Sequence, residues 1–564
     1  LTNKFIDSIK DDFNSLSILD SVVVFAILLI FLGRFELAVI SFIPIALSWI
    51  WILGLMGFTG IKFNIFNIII SSIIFGLGVD YSIIMIQGMI HQYRYGGHGL
   101  EASRESIFFS ALTNISGMGV LFFAKHPALK SIALISSIGI LSVYIISNII
   151  PPFLFKILIK AKHTVRPLKF TAMISAFIIY SLFTIGTLIL TVIAVFIKVL
   201  PVPKKIKRRI LSALIMLLCR FIQNYSIIFP FHSKLIIDNR YNEKFDKPAI
   251  IISNHQSLLD IVFLLSLSSK TTVLVKDWVW KSPLLGIVVR VAGYLPVSKG
   301  IENSIDEISK RVEEGFSVLV FPEGERSADM EIRRFHKGAF YIAGKLNLEI
   351  VPVILHGTGH IVRKNTLSIY SGSALLTIEP RISVNDGQYG TGYSDKAKAV
   401  RKLFSDRYSV IRREREDTAY FADFLIDKYI YKDPVTEWYM RVKLKLEDNY
   451  EFFNSVIPHN ASVVDLGCGY GFLAYMLVLC SSERRVIGVD YDKDKITVAE
   501  NISIHGADIH FEYADTSEYK LPRSDVFIMN DMLHYMPEEK QVELVTACMS
   551  NLNDNGMIII RDAN

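Results

Sequence analysis

Residues 250–260 have the sequence IIISNHQSLLD, and the central part of the chain is organised around them. The isoleucine run predicts a short buried strand, which the polar residues Ser253 and Asn254 bring to an end. His255 and Asp260 follow with four residues between them, so a helix that starts after the histidine brings the carboxylate close to the imidazole. A carboxylate in that position can hold the imidazole in one tautomer and prepare it to deprotonate a hydroxyl group.

A second motif, FPEGERS, lies at residues 321–327, and Val-Pro-Val follows at residues 351–353. The three motifs in this order resemble the lysophospholipid (1-acyl-glycerol-3-phosphate) acyltransferase family, over residues 225–412. The resemblance implies an α/β domain that transfers an acyl group to a lipid hydroxyl. The donor it implies is an acyl-CoA or an acyl carrier protein thioester, acyl-ACP.

The resemblance also assigns roles to individual residues. It implies that His255 is the catalytic base and that Asp260 orients it. It further implies that Glu323, Gly324 and Arg326 line the acceptor site, where a guanidinium can bind a phosphate through two hydrogen bonds.

Two positions depart from the family's pattern. Glu325 stands where the family usually has threonine, and Lys299 closes the GYLPVSK motif, residues 293–299, where arginine is usual. Lys299 still offers a positive charge to the acceptor site. Because lysine lacks the planar fork of arginine, this departure puts a glycerol-phosphate acceptor in doubt, whereas the acyl-transfer chemistry that the resemblance implies is unaffected.

Other polar residues of this domain have competing interpretations. Ser257 lies between the histidine and the aspartate, but the resemblance implies direct transfer without a serine or cysteine nucleophile. Arg326 could instead form a surface salt bridge with Glu323 or Asp329. His356 and His360 are expected to be ordinary histidines. A basic cluster is either a solvated face or a site for an anionic carrier or phosphate: Arg333, Arg334, His336 and Lys337.

Length and composition predict several domains and a membrane. The chain has 564 residues, which is too long for a single core, and 51% of them are hydrophobic. This composition predicts membrane segments, which lie almost entirely before residue 230. The net charge of +6 comes from basic residues beside apolar segments, which favours a membrane surface over nucleic acid as the partner. The four cysteines have no metal-ligand spacing, so no metal site and a reducing compartment are expected.

The region 1–162 contains five apolar stretches that predict membrane spans. They cover residues 18–32, 37–58, 63–88, 107–124 and 129–159. Basic residues at the ends of spans one, three and five place those ends in the cytoplasm. We therefore expect a multi-pass protein of the bacterial inner membrane, in contact with membrane lipids, whose later domains are cytoplasmic.

The third predicted span contains a carboxylate in the sequence GLGVDYS, residues 76–82. A charge inside a membrane helix is costly, so Asp80 predicts either a functional site or a packing residue satisfied by Tyr81 or Asn114. Five helices with GxGVDY in the third resemble the C-terminal half of MMPL/RND-type exporters. The resemblance implies a proton relay in which Asp80 gains and loses the proton while Tyr81 hydrogen-bonds it. It also implies a partner half that is missing from this sequence.

Residues 163–224 predict a second membrane element. The apolar run 170–199 has basic residues on both flanks, which favours a hairpin that turns near Gly186 and returns to the same side. The alternative is a single crossing. The segment 210–222 mixes apolar residues with Arg220, as an interfacial helix does.

Residues 413–564 predict a nucleotide-binding domain. The sequence SVVDLGCGYG, residues 462–471, is typical of a strand that runs into a glycine-rich turn. A second predicted strand ends at Asp490, where a carboxylate can hold ribose hydroxyls. These features resemble the class I S-adenosylmethionine-dependent methyltransferases, with a Rossmann-like fold. DxGxGxG rather than GxGxxG argues against an NAD-binding domain.

The resemblance implies S-adenosylmethionine as the cofactor and assigns its contacts. It implies that the turn, with Asp465, Gly467, Gly469 and Gly471, holds the methionine part, that Asp490 holds the ribose and Asp515 the adenine, and that Asn530 faces the methyl group. His534 is either a base or a packing partner of Tyr535. Because the chain starts without Met and stops after a fifth predicted strand, we expect it to be a piece of a longer protein with an incomplete methyltransferase domain.

The order of the segments resembles trifunctional fusions from bacteria. The favoured hypothesis is a membrane-bound acyltransferase that acts on a lipid-like hydroxyl, fused to a methyltransferase and to half of an exporter. The alternatives are a proton-driven lipid or polyene exporter with accessory soluble domains, and a scaffold whose pockets bind neither donor.

Overall fold

The computed structural model describes residues 2–60, 65–159, 166–228, 233–297, 301–432, 434–446, 449–502, 504 and 506–562. The chain forms two compact units. One contains Leu1–Leu168 together with Asp417–Asn564, and the other contains Lys169–Glu416.

The N-terminal segment of the first unit is a bundle of long apolar helices. They are α1 (Thr2–Leu32), α2 (Phe35–Thr59), α3 (Ile65–Tyr95), α4 (Gly99–Gly119) and α5 (Pro127–Leu158). Small residues bring these helices together. A side chain at Gly139 of α5 would meet Ile74 of α3, and one at Gly88 of α3 would meet Ser103 of α4.

Five helices of the described part are long and apolar enough to cross a membrane, as the sequence predicts, but they are a different five. Four lie between Phe35 and Leu158, and the fifth is Phe170–Val199. The first predicted span is the apolar end of α1, Ile18–Leu32, which is shorter than the roughly 20 residues that a crossing helix needs.

The second unit begins with two helices, α6 (Phe170–Val199) and α7 (Lys204–Ile228). The predicted hairpin is wrong, because α6 is one continuous helix of 30 residues, about 45 Å long. Gly186 makes a helix contact instead of a turn, since a side chain at this position would overlap Leu218 of α7. Part of α7 packs into the core of the domain through Leu211 and Ile222.

The rest of the second unit is an α/β domain, as the sequence predicts. Its strands are β1 (Ser233–Asp238), β2 (Ile250–Ser253), β3 (Thr271–Val275), β4 (Leu295–Pro296), β5 (Ser317–Val320), β6 (Ile350–His356) and β7 (Gly372–Ile378). Its helices are α8 (Leu259–Leu267), α9 (Asp277–Trp280), α10 (Gly286–Ala292), α11 (Ile301–Glu313), α12 (Gly338–Leu346), α13 (Thr358–Ile361) and α14 (Tyr393–Arg415).

The sheet has the strand order β1-β7-β6-β2-β5-β3-β4. The paired strands are parallel except β6 and β7, which are antiparallel. The fully buried strand β2 lies at the centre of the sheet, between β5 and β6. The loops that follow β2 and β5 therefore leave the same edge of the sheet side by side.

The first unit ends in a second α/β domain. Its helices are α15 (Thr418–Tyr429), α16 (Pro434–Leu446), α17 (Asn449–Val456), α18 (Phe472–Cys480), α19 (Lys493–Glu500) and α20 (Glu538–Ser550). Its strands are β8 (Ser462–Leu466), β9 (Arg485–Asp490), β10 (Asp508–Tyr513), β11 (Ser524–Asn530) and β12 (Leu552–Arg561). All five are parallel in the order β10-β9-β8-β11-β12, the doubly wound arrangement that the sequence predicts.

Candidate active sites

The first site lies at the end of β2, where His255 and Asp260 meet. The distance between His255 Nδ1 and Asp260 Oδ2 is 2.9 Å, as the sequence spacing predicts. Asp260 lies fully buried in the first turn of α8, whereas 19% of the His255 side chain is exposed. The imidazole stacks on Phe321, with 4.1 Å between the ring centroids.

Backbone amides hold the aspartate in place. Asp260 Oδ2 also accepts hydrogen bonds from the amides of Gln256, at 2.6 Å, and Ser257, at 2.8 Å. These contacts fix the position of the carboxylate, and an oxygen that accepts from Nδ1 favours the imidazole tautomer with its proton on that nitrogen. In that tautomer His255 Nε2 is free to accept a proton. Ser257 is no candidate nucleophile, because its buried hydroxyl donates to the carbonyl of Val362 at 2.8 Å.

The FPEGERS loop reaches this histidine from β5. Gly324 has φ of +76°, a backbone conformation that glycine adopts easily, and its amide donates to the carbonyl of Phe321. The amide of Ser327 then donates to the carbonyl of His255 at 2.7 Å. Glu323 is buried in this loop, and burial raises the pKa of its carboxyl to about 8.

Arg326 has no hydrogen-bond or ion-pair partner among the described residues, so neither predicted salt bridge forms. Asp329 instead accepts from the hydroxyl of Ser327 at 2.5 Å. Within the described part of the chain, the buried hydroxyl of Tyr180, on α6, also lacks a partner, and it lies within electrostatic range of Arg326. Lys299 lies outside the described residues.

The remaining polar residues around the site have structural partners. Glu325 forms ion pairs with Arg333, at 3.3 Å, and Lys364, at 3.1 Å, so one member of the predicted basic cluster is neutralised on the surface. His356 is buried and bonded to Glu416 at 2.9 Å. No motif predicts the hydrogen bond from Gln256 Nε2 to the hydroxyl of Tyr408, because those residues are 152 positions apart.

The second site surrounds the glycine-rich turn after β8. Gly467, Gly469 and Gly471 have φ values of +74°, +57° and +77°. The amide of Gly469 donates to Asp490 Oδ2 at 2.7 Å, and the amide of Asp492 donates to Oδ1 at 2.9 Å. The turn is therefore fixed to the acidic end of β9.

The turn opens into a cavity of about 1190 Å³ whose acidic residues fit a cationic ligand. Asp465 is buried, its Oδ2 atom has no partner in the described structure, and burial with the nearby Asp490 raises its pKa to about 7. A positive charge beside the two carboxylates would remove this penalty. S-adenosylmethionine carries an ammonium and a sulfonium, and the hydroxyls of its ribose can bond the free lone pairs of Asp490, so these residues fit it.

The other predicted residues of this site also line the cavity. Asp515 is exposed and accepts from the amide and hydroxyl of Ser517. Asn530 Oδ1 accepts from Arg561 Nη1 at 3.2 Å. His534 packs beside Tyr535, with 4.0 Å between ring centroids.

Sequence motifs gave no indication of the contribution from α16. This helix lines the same cavity with Trp438, Tyr439 and Lys443, although no glycine turn or strand end marks it. The adjacent aromatic residues Trp438 and Tyr439 are the one sequence feature from which an aromatic surface on this helix could have been predicted.

The predicted hydrogen bond between Asp80 and Tyr81 is absent from the described structure. Tyr81 is buried in the bundle, where its hydroxyl accepts from Asn114 Nδ2 at 3.4 Å, whereas Asp80 is exposed. Adjacent residues on a helix point about 100° apart, so their side chains do not face each other.

Comparisons with known proteins find similarity in three separate parts of the chain. A family model described as acyltransferase matches residues 234–356, one described as methyltransferase domain matches residues 457–564, and the MMPL family model matches residues 1–171. A chloroplast 1-acyl-sn-glycerol-3-phosphate acyltransferase from Arabidopsis thaliana is 38% identical over 140 residues, which are 24% of this chain and 39% of that protein.

Two further comparisons cover one domain each. A carboxy-S-adenosyl-L-methionine synthase from Campylobacter jejuni is 31% identical over 108 residues, 19% of this chain and 46% of that protein. The crystal structure of the 1-acyl-sn-glycerophosphate acyltransferase from Thermotoga maritima has 20% identity and a TM-score of 0.36, and covers 42% of this chain and 97% of that one. The chain thus spans less than half the length of the two sequence relatives. It joins an MMPL-family segment, an acyltransferase domain and a methyltransferase domain in one polypeptide.

Proposed function

We propose that the second unit transfers an acyl group from a thioester to the hydroxyl of a lipid-like acceptor. The observation that supports this most directly is the pair of His255 and Asp260 beside the FPEGERS loop. His255 Nε2 takes the proton of the acceptor hydroxyl, and the oxygen attacks the thioester carbonyl. The thiolate then leaves and recovers the proton from the imidazolium. Asp260 stabilises the charged imidazolium between these steps.

The acceptor binds on the same loop. Arg326 has no partner among the described residues, so its guanidinium is available for an anionic headgroup such as a phosphate. Glu323, protonated at neutral pH because of its burial, offers a hydrogen bond to a hydroxyl. The donor is an acyl-CoA or an acyl-ACP, and Arg334, Lys337 and the other cations near the loop suit the phosphates of either carrier.

The first unit combines methyl transfer with a membrane segment. S-adenosylmethionine, when bound beside Asp465 and Asp490, supplies an electrophilic methyl group to an acceptor in the adjoining cavity. We place the five long apolar helices, α2 to α6, in the inner membrane of a bacterium and both α/β domains in the cytoplasm. Asp80, exposed on α3, is the proton carrier of an exporter, and a second transporter half is its partner.

The acyl-transfer proposal is tested with the detergent-solubilised chain, a radiolabelled acyl-CoA or acyl-ACP and a lysophospholipid acceptor. His255→Ala should reduce acyl transfer at least about 100-fold, the usual loss when a general base is removed. The control is Arg240→Gln, which breaks an exposed ion pair with Asp238 on β1 and should leave the rate unchanged. Unchanged transfer by His255→Ala would contradict the proposal.

The rival hypothesis, an exporter with accessory domains, gives the opposite pattern. In cells, Asp80→Asn would then abolish export of the lipid, while His255→Ala would leave both export and lipid acylation unaltered.

A further inference from the structure

His534, which lines the methyltransferase cavity, forms a histidine–carboxylate pair with Asp562. His534 Nδ1 is hydrogen-bonded to Asp562 Oδ1, and the backbone amide of His534 donates to the other carboxylate oxygen, Oδ2, at 2.9 Å. The carboxylate thus holds both the backbone and the ring of the same residue. This double contact fixes the imidazole and favours the tautomer with its proton on Nδ1.

In this tautomer His534 Nε2 is a base without a partner among the described residues. The side chain is 38% exposed and lines the cavity of the methyltransferase domain. Water and a ligand therefore both have access to it.

The histidine lies in a short 3-10 helix, Leu533–Tyr535, that borders the glycine-rich turn. Met532, two positions before it, packs closely on Gly467. A Cβ atom added to Gly467 would lie only 2.8 Å from the Cβ atom of Met532. The base and the turn consequently face the same space, where a methyl donor and its acceptor would meet.

Aromatic side chains also line this space. Trp438 and Tyr439 extend from α16, and Tyr535 lies next to the histidine. They are 65%, 40% and 75% exposed, respectively. Lys443 Nζ lies 5.4 Å from the centroid of the Tyr439 ring and the His534 ring packs on Tyr535, so a ligand would meet the face of Trp438 and the exposed parts of the two tyrosine rings. Such faces suit a planar apolar molecule.

We propose that His534 is the general base for methylation of a phenol-type hydroxyl, a proposal that rests on the methyl transfer suggested above. The oxygen forms a bond to the methyl carbon, and the carbon–sulfur bond of the sulfonium breaks with its electron pair on sulfur. The hydroxyl proton moves to His534 Nε2, and S-adenosylhomocysteine leaves. A phenol, with a pKa of about 10, lies within reach of an imidazole, whereas a neutral amine has a lone pair and needs no base to attack.

The test uses the whole chain in nanodiscs, S-adenosylmethionine labelled in its methyl group, and a total lipid extract of the producing cells. We expect wild type to place the label in a methyl ether, which resists alkali. His534→Gln should lower the transfer rate about 100-fold or more and change the dissociation constant of S-adenosylmethionine less than threefold. The matched control is His510→Gln, because His510 also pairs with an aspartate, Asp508, but lies outside the cavity.

The other outcomes separate this inference from the methyltransferase function itself. Label in an alkali-labile methyl ester or in an amine, or a His534→Gln rate within threefold of wild type, would overturn the role of His534 while methyl transfer stands. Binding of S-adenosylmethionine without any labelled lipid would likewise overturn the phenol-type acceptor. If wild type neither binds S-adenosylmethionine nor transfers the methyl group, the methyltransferase function fails and this inference with it.

Discussion

Arg326 and Arg333 are two arginines of one loop region with different surroundings. The guanidinium of Arg333 is already paired with Glu325, whereas that of Arg326 has no partner in the described part of the chain. A charged hydrogen bond to an acceptor headgroup contributes about 1.5–3 kcal/mol. Of these two arginines, only Arg326 can form that hydrogen bond without first breaking an ion pair.

We therefore expect Arg326→Gln to lower kcat/KM for a phosphate-bearing acceptor by roughly 10–100-fold, mainly through KM. The matched change Arg333→Gln should have less than a threefold effect, since it removes an exposed ion pair. Steady-state kinetics with the acceptor concentration varied would measure both. Equal losses in the two variants would mean that general positive charge, not one guanidinium, binds the headgroup.

The sequence predicted the residues of this site because the chemistry lies in short motifs. His255, Asp260 and the FPEGERS loop follow strands that the chain marks clearly, and parallel neighbouring strands bring their ends together. Tyr180 and Gln256 could not be predicted in the same way. Their contacts depend on packing between segments that are far apart in the chain.

At the scale of helices, Gly186 shows why an apolar run is ambiguous. A glycine between basic flanks is compatible with a turn, and also with a close contact between two helices. The sequence around Gly186 does not distinguish these possibilities, because Leu218 of α7 is 32 positions away. The structure places Leu218 over the glycine, and α6 continues through this position as one helix.

This contact predicts the effect of a larger residue. Gly186→Val should destabilise the second unit by about 1–3 kcal/mol, because the new side chain overlaps Leu218. The double variant Gly186→Val/Leu218→Ala should recover part of the loss by making room. Thermal unfolding of the solubilised protein measures both, and Gly117→Val, at a helical glycine with open space around it, is the control. No recovery in the double variant would show that the two residues are not in contact.

At the scale of the first unit, the MMPL-family segment and the methyltransferase domain share polar contacts that no motif predicts. Arg34, between α1 and α2, is paired with Glu437 of α16, and Asn501 Nδ2 donates to the carbonyl of Arg94, on α3, at 3.2 Å. Lys432 also contacts both parts of the unit. Its side-chain nitrogen donates hydrogen bonds to the carbonyls of Tyr93, on α3, and Asn501, in the methyltransferase domain, each at 3.0 Å.

Lys432 makes this junction depend on pH. The side chain is 1% exposed, and burial, with Arg94 nearby, lowers its pKa to about 7. Between pH 7 and about 10.5 the unfolded chain holds a proton on this lysine that the folded chain has released. The folded state is therefore stabilised as pH rises through that range, by at most about 1.4 kcal/mol per pH unit.

We expect the thermal midpoint of wild type to rise between pH 7 and pH 9 relative to that of Lys432→Met, which has no group to titrate. Lys520→Met, an exposed change in the same domain, should follow wild type at both pH values. Differential scanning calorimetry of the three proteins in one detergent would give the difference in thermal midpoint between each variant and wild type at each pH. A difference that does not change with pH would mean that Lys432 stays charged when buried, held by the two carbonyls and by the ring of Tyr93, which lies 4.9 Å from its ammonium.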